Sequence, residues 1–280
     1  MEHLKDTKIM EFNPSTIEEV RKELNLDRES MEQKLTSRPY LESCIINAKG
    51  SLERAKTSLD KLCTWKTLLP KYFEKYNYKD NAMDTSSFIT HVSLPKLLKN
   101  NYRLYIAKFV SDQMNEYAKL HDYRLGYVVV IDCRNINVVQ LVSNINILEL
   151  REALSIVVDG YACRIKDLHV ISASKTVEVF TTLLKQLLSN KLAGRINVVK
   201  SVEELYEYVP KEMLPKDYGG NEATMIELYE NWRSELSTEE SIEFLKMICN
   251  ARTDEKHRLT DQYNDQILGI AGSFRTLSVD

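Results

Sequence analysis

The side chains able to catalyse or to ligate are scattered through this 280-residue chain. Its histidines, His3, His91, His121, His169 and His257, stand alone, so no two have metal-ligand spacing on one element. Its cysteines, Cys44, Cys63, Cys133, Cys163 and Cys249, are odd in number and form no C-x-x-C pair. In a chain long enough to build its own core they read as reduced packing thiols. Asp132 and Cys133 close an apolar run at the edge where α/β folds place ligands, and His169 lies in another such run. Strand-end Asp commonly caps the turn that follows, and a histidine inside a buried strand is usually a hydrogen-bonded core residue. No G-x-S-x-G, Walker, G-x-G-x-x-G or H-E-x-x-H motif is present. The reading is therefore a protein without catalytic residues, metal or cofactor.

Charge patterning says more. Lys and Arg number 38 against 41 Asp and Glu, a net charge of −3, which argues against a nucleic-acid partner. Between Arg164 and Lys200, however, seven basic residues (Arg164, Lys166, Lys175, Lys185, Lys191, Arg195, Lys200) face two acidic ones, Asp167 and Glu178. Arg164 and Lys166 precede one strand-like run, and Lys191 and Arg195 the next, so parallel strands could group these four into a local anion site; the alternative is a solvated charged face, with Lys191 placed by the dipole of the helix it ends.

The elements that must position them alternate. Tyr102–Phe109 alternates as a half-buried strand. Gly126–Asp132 is a continuous β-branched run, and Leu168–Ile171 and Arg195–Val199 follow. Helical patterns over Val138–Val158 and Ser174–Leu192 separate them, which makes an α/β unit with a small, mainly parallel sheet. The second helix has an apolar stripe, Val177, Phe180, Leu184, Leu187 and Leu188, opposite Lys175, with Lys185 at its flank. Upstream, a capping box opens a helix through Ile17, Val20 and Leu24. A shorter helix is expected over Tyr40–Ala48, and Ser51 opens another with Leu52, Ala55, Leu59, Leu62 and Cys63 on one side. Tyr76–Ser87 reads as a linker. The expected organisation is a helical domain over 1–80, an α/β domain over 85–225 and a mostly helical tail over 226–280. The N-terminus lacks the apolar core of a signal peptide and no segment has the length of a membrane span, so a soluble, cytoplasmic protein is expected.

Several of these segments resemble the CRAL-TRIO family of lipid-binding and lipid-transfer proteins. Ser51–Lys56 with Leu68-Leu69-Pro70 is similar to its N-terminal helical domain. Tyr161–Ile171 resembles the approach to a sheet strand, Lys191–Ile196 the end of the gate helix, and Gly272–Asp280 the ending of invertebrate tocopherol-transfer-like members. Leu214-Pro215-Lys216-Asp217-Tyr218-Gly219-Gly220 is the most specific match.

The resemblance implies a carrier of a tocopherol, retinoid, carotenoid or other isoprenoid, held in an apolar cavity. A gate helix would cover that cavity with Val177, Phe180, Leu183, Leu184, Leu187 and Leu188. Tyr105, Ala107, Val128, Val130, His169 and Ile171 would form its floor. Arg164, Lys166, Lys185, Lys191 and Arg195 would hold a phosphoinositide headgroup at a membrane surface, where the protein would be peripheral. The alternative is a cargo-free scaffold binding phosphoinositide or protein. Two departures stand out: Cys44 and Asn47 occupy positions where the family's N-terminal domain carries arginines, leaving Lys49, and Val110–Leu125 is short for the connection between the first two sheet strands.

Overall fold

The computed structural model describes residues 38–74, 91–98, 101–107, 124–134 and 136–254. The helix expected around Ile17–Leu24, the linker over 76–87, most of the short 110–125 connection and the ending 272–280 lie outside the described residues.

Two helices open the described chain, α1 (Arg38–Asn47) and α2 (Leu52–Leu68). Ser51 caps α2, its hydroxyl accepting the Arg54 amide at 3.4 Å. Pro70 ends the helical run in a 3-10 turn, Pro70–Tyr72. Five strands then form one sheet: β1 (His91–Leu98), β2 (Tyr102–Ala107), β3 (Gly126–Asp132), β4 (Ile165–Ile171) and β5 (Ile196–Val199). They lie in chain order, β1 antiparallel to β2 and all other pairs parallel.

Strand β1 is absent from the sequence reading because it contains Pro95, which has no N–H for a ladder. The fold accommodates the proline by a register skip between Ser93 and Leu97. The buried guanidinium of Arg103 fills the gap, its Nη1 donating to the Leu94 and Pro95 carbonyls at 2.7 Å each. Trp232 donates its indole N–H to the Ser93 carbonyl at 2.8 Å, and Lys96 meets the buried Glu222 carboxylate at 2.6 Å.

The crossovers are shorter than their periodicity predicts. Val138–Val158 splits into α3 (Val138–Asn144), α4 (Ile147–Ser155) and a π turn, Ile156–Gly160, because Asn146 leaves the helix to cap the next with its side chain, accepting the Leu148 amide at 3.1 Å. The helix expected over Ser174–Leu192 is α5 (Val177–Leu187) followed by a separate turn, α6 (Asn190–Ala193). Extended backbone at Leu188 and Ser189 breaks the i→i−4 ladder between them.

Strand alternation divides the core. On one face of the sheet Leu168, Val170 and Ile196 pack against Val177, Phe180 and Leu184 of α5, with Val129 and Ile131 beside them. The other face, Leu104, Ile106, Val128, Val130, Ile171 and Val199, is covered by α7 (Val202–Leu205) and by Val209, Leu214, Tyr218, Met225 and Leu228. The Leu214–Gly220 motif belongs to that cover. Gly219 turns left-handed (φ 72) and Gly220 passes so close to the Leu214 carbonyl that a Cβ would collide with it.

The C-terminal helices α8 (Met225–Leu236) and α9 (Glu239–Cys249) complete the core of α1 and α2, where Leu236, Phe244, Leu245 and Ile248 meet Tyr40, Ile45 and Leu59. Lys66, fully buried in α2, donates to the Ile248 carbonyl at 2.9 Å, where the negative end of the α9 dipole favours its charge.

Candidate functional site: a basic cleft beside an amphipathic helix

At the junction of α1, α2 and the chain entering β4 lies an open cleft of about 380 Å³. Asn47 and Lys49 line it from the end of α1. Arg54, Thr57, Ser58 and Lys61 line it from one side of α2, and Val158, Asp159 and Arg164 from beyond the π turn. Spacings of three and four residues put the α2 group on one helical face, opposite the buried Ala55, Leu59 and Leu62. Lys49 (φ 62) and Ala162 (φ 50) both hold the left-handed conformation that non-glycine residues rarely adopt, so the cleft walls carry backbone strain of the kind found at binding sites. Asn47 is buried, and its side-chain amide nitrogen has no hydrogen-bond partner among the described residues.

The cleft is electropositive. The charges of Lys191 and Arg164, then burial, then the charges of Arg54 and Arg195 hold the Lys49 ammonium below its usual pKa. Of the five residues expected to bind a headgroup, Arg164 alone lines the cleft; Lys191 and Arg195 act on Lys49 from outside the lining, and Lys166 and Lys185, both exposed, also lie outside it. Arg195 also donates through Nη1 to the Ile165 carbonyl, tying the chain after α6 to the start of β4. Gly126 lets β3 begin directly against the Arg164 backbone, whose carbonyl accepts the Tyr127 amide at 2.7 Å. The α2 contribution was missed in the sequence, where Arg54, Thr57, Ser58 and Lys61 look like any solvated helix face.

The residues expected to form a gate separate into two sets. Val177, Phe180 and Leu184 are buried against the sheet and Leu188 packs on that cluster, while Leu183 and Leu187 are half-buried and stand outside it. The six residues expected to share a cavity floor do not share a face. Tyr105 and Ala107 pair with Val129 and Ile131 on the α5 side. Val128, Val130 and Ile171 point to the other face, into the core under α7, and His169, paired with Val130, stacks on Tyr208 there at 4.6 Å. Their strands alternate in opposite phase, and that phase is set by the β2–β3–β4 register. The sheet positions under α5 are instead Leu168, Val170 and Ile196.

The Asp132, Cys133 and His169 group is occupied structurally. Burial would raise the Asp132 carboxyl, but hydrogen bonds from Arg134 (2.8 and 3.0 Å) and from the Tyr218 hydroxyl (3.0 Å) hold it below the carboxylate range. Burial, aided by the Asp132 charge, pushes the Cys133 thiol up to about 11, and burial lowers His169. A carboxyl depressed by folding stabilises the native state above its unfolded pKa and loses that stabilisation as pH falls through the folded value. Asp132→Asn is expected to cost on the order of 2 kcal/mol at pH 7, and to flatten the acid limb of a stability–pH curve measured by urea unfolding. Parallel curves for parent and variant would remove Asp132 from the linkage.

Residues 82–220 match the CRAL/TRIO domain family. Proteins described as alpha-tocopherol transfer protein-like from Homo sapiens and Mus musculus are 26% and 25% identical over 125 residues. That stretch is 44% of this chain and 35% of theirs, so the chain spans about a third of the length of these relatives. Among solved structures, the crystal structure of Sfh5 superposes over 79% of this chain and 93% of its own, with a TM-score of 0.47 and 10% identity. Among the described residues no helix is long and apolar enough to cross a membrane. Residues 82–220, with the sheet and the helices from α3 to α7, are a CRAL/TRIO domain.

Proposed function

We propose that this chain carries a small hydrophobic molecule of the isoprenoid class, a tocopherol, retinoid or carotenoid, between α5 and the sheet, and releases it at anionic, phosphoinositide-containing membranes that the basic cleft engages. The protein would then be cytoplasmic and peripheral at membranes. The observation that carries the reading is the neighbourhood of the two parts, the helix within the CRAL/TRIO domain and the cleft where that domain meets α1 and α2. A helix with an apolar inner side lies over Leu168, Val170 and Ile196, and its C-terminal end runs within a few residues into Lys191 and Arg195. Cargo burying some 400 Å² of apolar surface would gain on the order of 10 kcal/mol before entropic costs. To admit it, Phe180 must leave the sheet and α5 must act as a lid.

The test is the dissociation rate of bound retinol, followed by its fluorescence on transfer to acceptor vesicles, beside native mass spectrometry against a panel of isoprenoids and phospholipids. Phe180→Ala is expected to speed release at least tenfold while costing less than the 3–5 kcal/mol or so of an ordinary core Phe truncation. Full core cost with an unchanged rate would make α5 ordinary core. The direct seating of Phe180, Val177 and Leu184 on the sheet favours one second reading, a cargo-free scaffold that uses only the basic cleft. Protein that binds phosphoinositide vesicles yet takes up no member of the panel would select it.

A further inference from the structure

Away from the cleft, the two ends of the sheet differ. At the β1 end Pro95 and the register skip interrupt the ladder, and Trp232 takes the Ser93 carbonyl. The β5 end has neither a proline nor a skip. The Leu168 and Ser172 amides donate to the Arg195 and Val199 carbonyls at 3.1 and 2.9 Å, so alternation turns Asn197 towards β4 and Val198 away from it. The Val198 N–H and C=O have no hydrogen-bond partner among the described residues, and its side chain, on the α5 face, is 44% exposed. On the other face, one strand in, Tyr208 stacks on His169 and is 52% exposed. An unpaired strand edge flanked by apolar side chains is a template for a further strand.

We propose that this edge pairs with the same edge of a second copy of the chain, antiparallel about a two-fold axis through Val198, so that two sheets become one. Each Val198 would donate to and accept from its counterpart, and the two exposed valine side chains would meet on one face. The Lys200 amide is already given to the Glu204 carboxylate at 2.7 Å, so the ladder ends there. Charge selects a reversed copy over another peptide. Lys191 and the half-buried Arg195 lead into β5, whereas Lys200 and then the exposed carboxylates of Glu203, Glu204 and Glu207 follow it. Reversal lays the basic entry of each copy beside the acidic exit of the other, and Lys200 falls opposite Ile196 rather than opposite a cation. A peptide of either sign would be attracted at one end of β5 and repelled at the other. The four-residue strand suits a short, closed contact, and the interrupted β1 end stops assembly at two copies.

Sedimentation velocity and crosslinking of the full chain test this. The parent is expected to form a dimer that dissociates on dilution. Val198→Pro removes only the outward N–H, which a sheet edge tolerates, and should raise the dimer dissociation constant about tenfold or more, the worth of the two Val198 bonds, while urea unfolding stays as in the parent. Val198→Cys should give a disulfide-linked dimer under mild oxidation, because facing Cα atoms of such a pair lie about 5.5 Å apart. The native cysteines are buried and should stay reduced. If the proline variant unfolds, the crosslink decides. A parent that is monomeric throughout, a dimer indifferent to a folded Val198→Pro, the absence of a crosslink at position 198, or assembly beyond two copies would each overturn the proposal. None of these readouts involves retinol or vesicles, so the edge contact and the carrier reading stand or fall separately.

Discussion

Replacing Arg164, Lys191 and Arg195 together by Gln is expected to weaken binding to phosphoinositide-containing vesicles about a hundredfold. Each basic residue near an anionic surface contributes about 1 kcal/mol, and a loss of about 3 kcal/mol corresponds to a factor on the order of 10². The three belong to one field, since all act on Lys49, so their removal should also flatten the decline of binding with salt. A second readout needs no membrane. These charges hold the Lys49 ammonium down, so its titration, followed by NMR of the labelled lysine side chain, should move up towards the ordinary lysine value in the triple variant. Unfolding in urea must accompany both, because Arg195 also ties down the Ile165 carbonyl. Vesicle binding equal to the parent's would reduce the cluster to a solvated face. An unmoved Lys49 would show that the four groups are not neighbours.

Gly220→Ala should cost about 4 kcal/mol, at the upper end of what single substitutions do. A Cβ there is driven into the Leu214 carbonyl oxygen and brought to 2.5 Å from the Lys211 carbonyl, both backbone atoms that cannot swing aside. The local hydrogen bonds fix that approach: the Glu222 amide donates to Leu214 at 3.0 Å, Gly220 to Pro215 at 3.1 Å and Lys216 to Glu222 at 3.1 Å. Opening the turn would displace Leu214 and Tyr218 from the core under the sheet, and with them the Tyr218 hydrogen bond to Asp132. Gly219→Ala is the control. It meets a left-handed backbone and the Tyr206 hydroxyl, the far end of a side chain that can swing aside by giving up its hydrogen bond to the Tyr218 carbonyl, and about 2 kcal/mol is expected. Equal, small costs at the two positions in urea unfolding would sink this account of the motif.

What the sequence disclosed and what it withheld follow from the range of the interactions involved. Strands β2 to β5 were legible because Val, Ile and aromatic runs bounded by helical patterns need only local information. The basic grouping read there took in Arg164, Lys166, Lys191 and Arg195, of which Arg164, Lys191 and Arg195 act on Lys49 and Lys166 does not. Strand β1 was hidden by Pro95, whose compensation comes from Arg103 on the neighbouring strand. The floor assignment failed for a similar reason. Tyr105 and Val128 each alternate correctly, but which of them faces α5 depends on Leu104 pairing with Val128, a relation between strands that no single run encodes. Arg54 and Lys61 could have been added to the cleft only by knowing that α2 passes the chain entering β4.

The treatment of β1 also bears on how this protein tolerates crowding by its own copies. A sheet whose strands run in chain order has two ends, and an open end offers a row of amides and carbonyls onto which another chain can polymerise. At the β1 end that template is spoiled four ways: Pro95 supplies no N–H, the register skip interrupts the repeat, Trp232 already occupies the Ser93 carbonyl, and Lys96 carries its charge onto the rim. The arrangement that hid β1 from a reading of the sequence thus works against fibril growth from this edge.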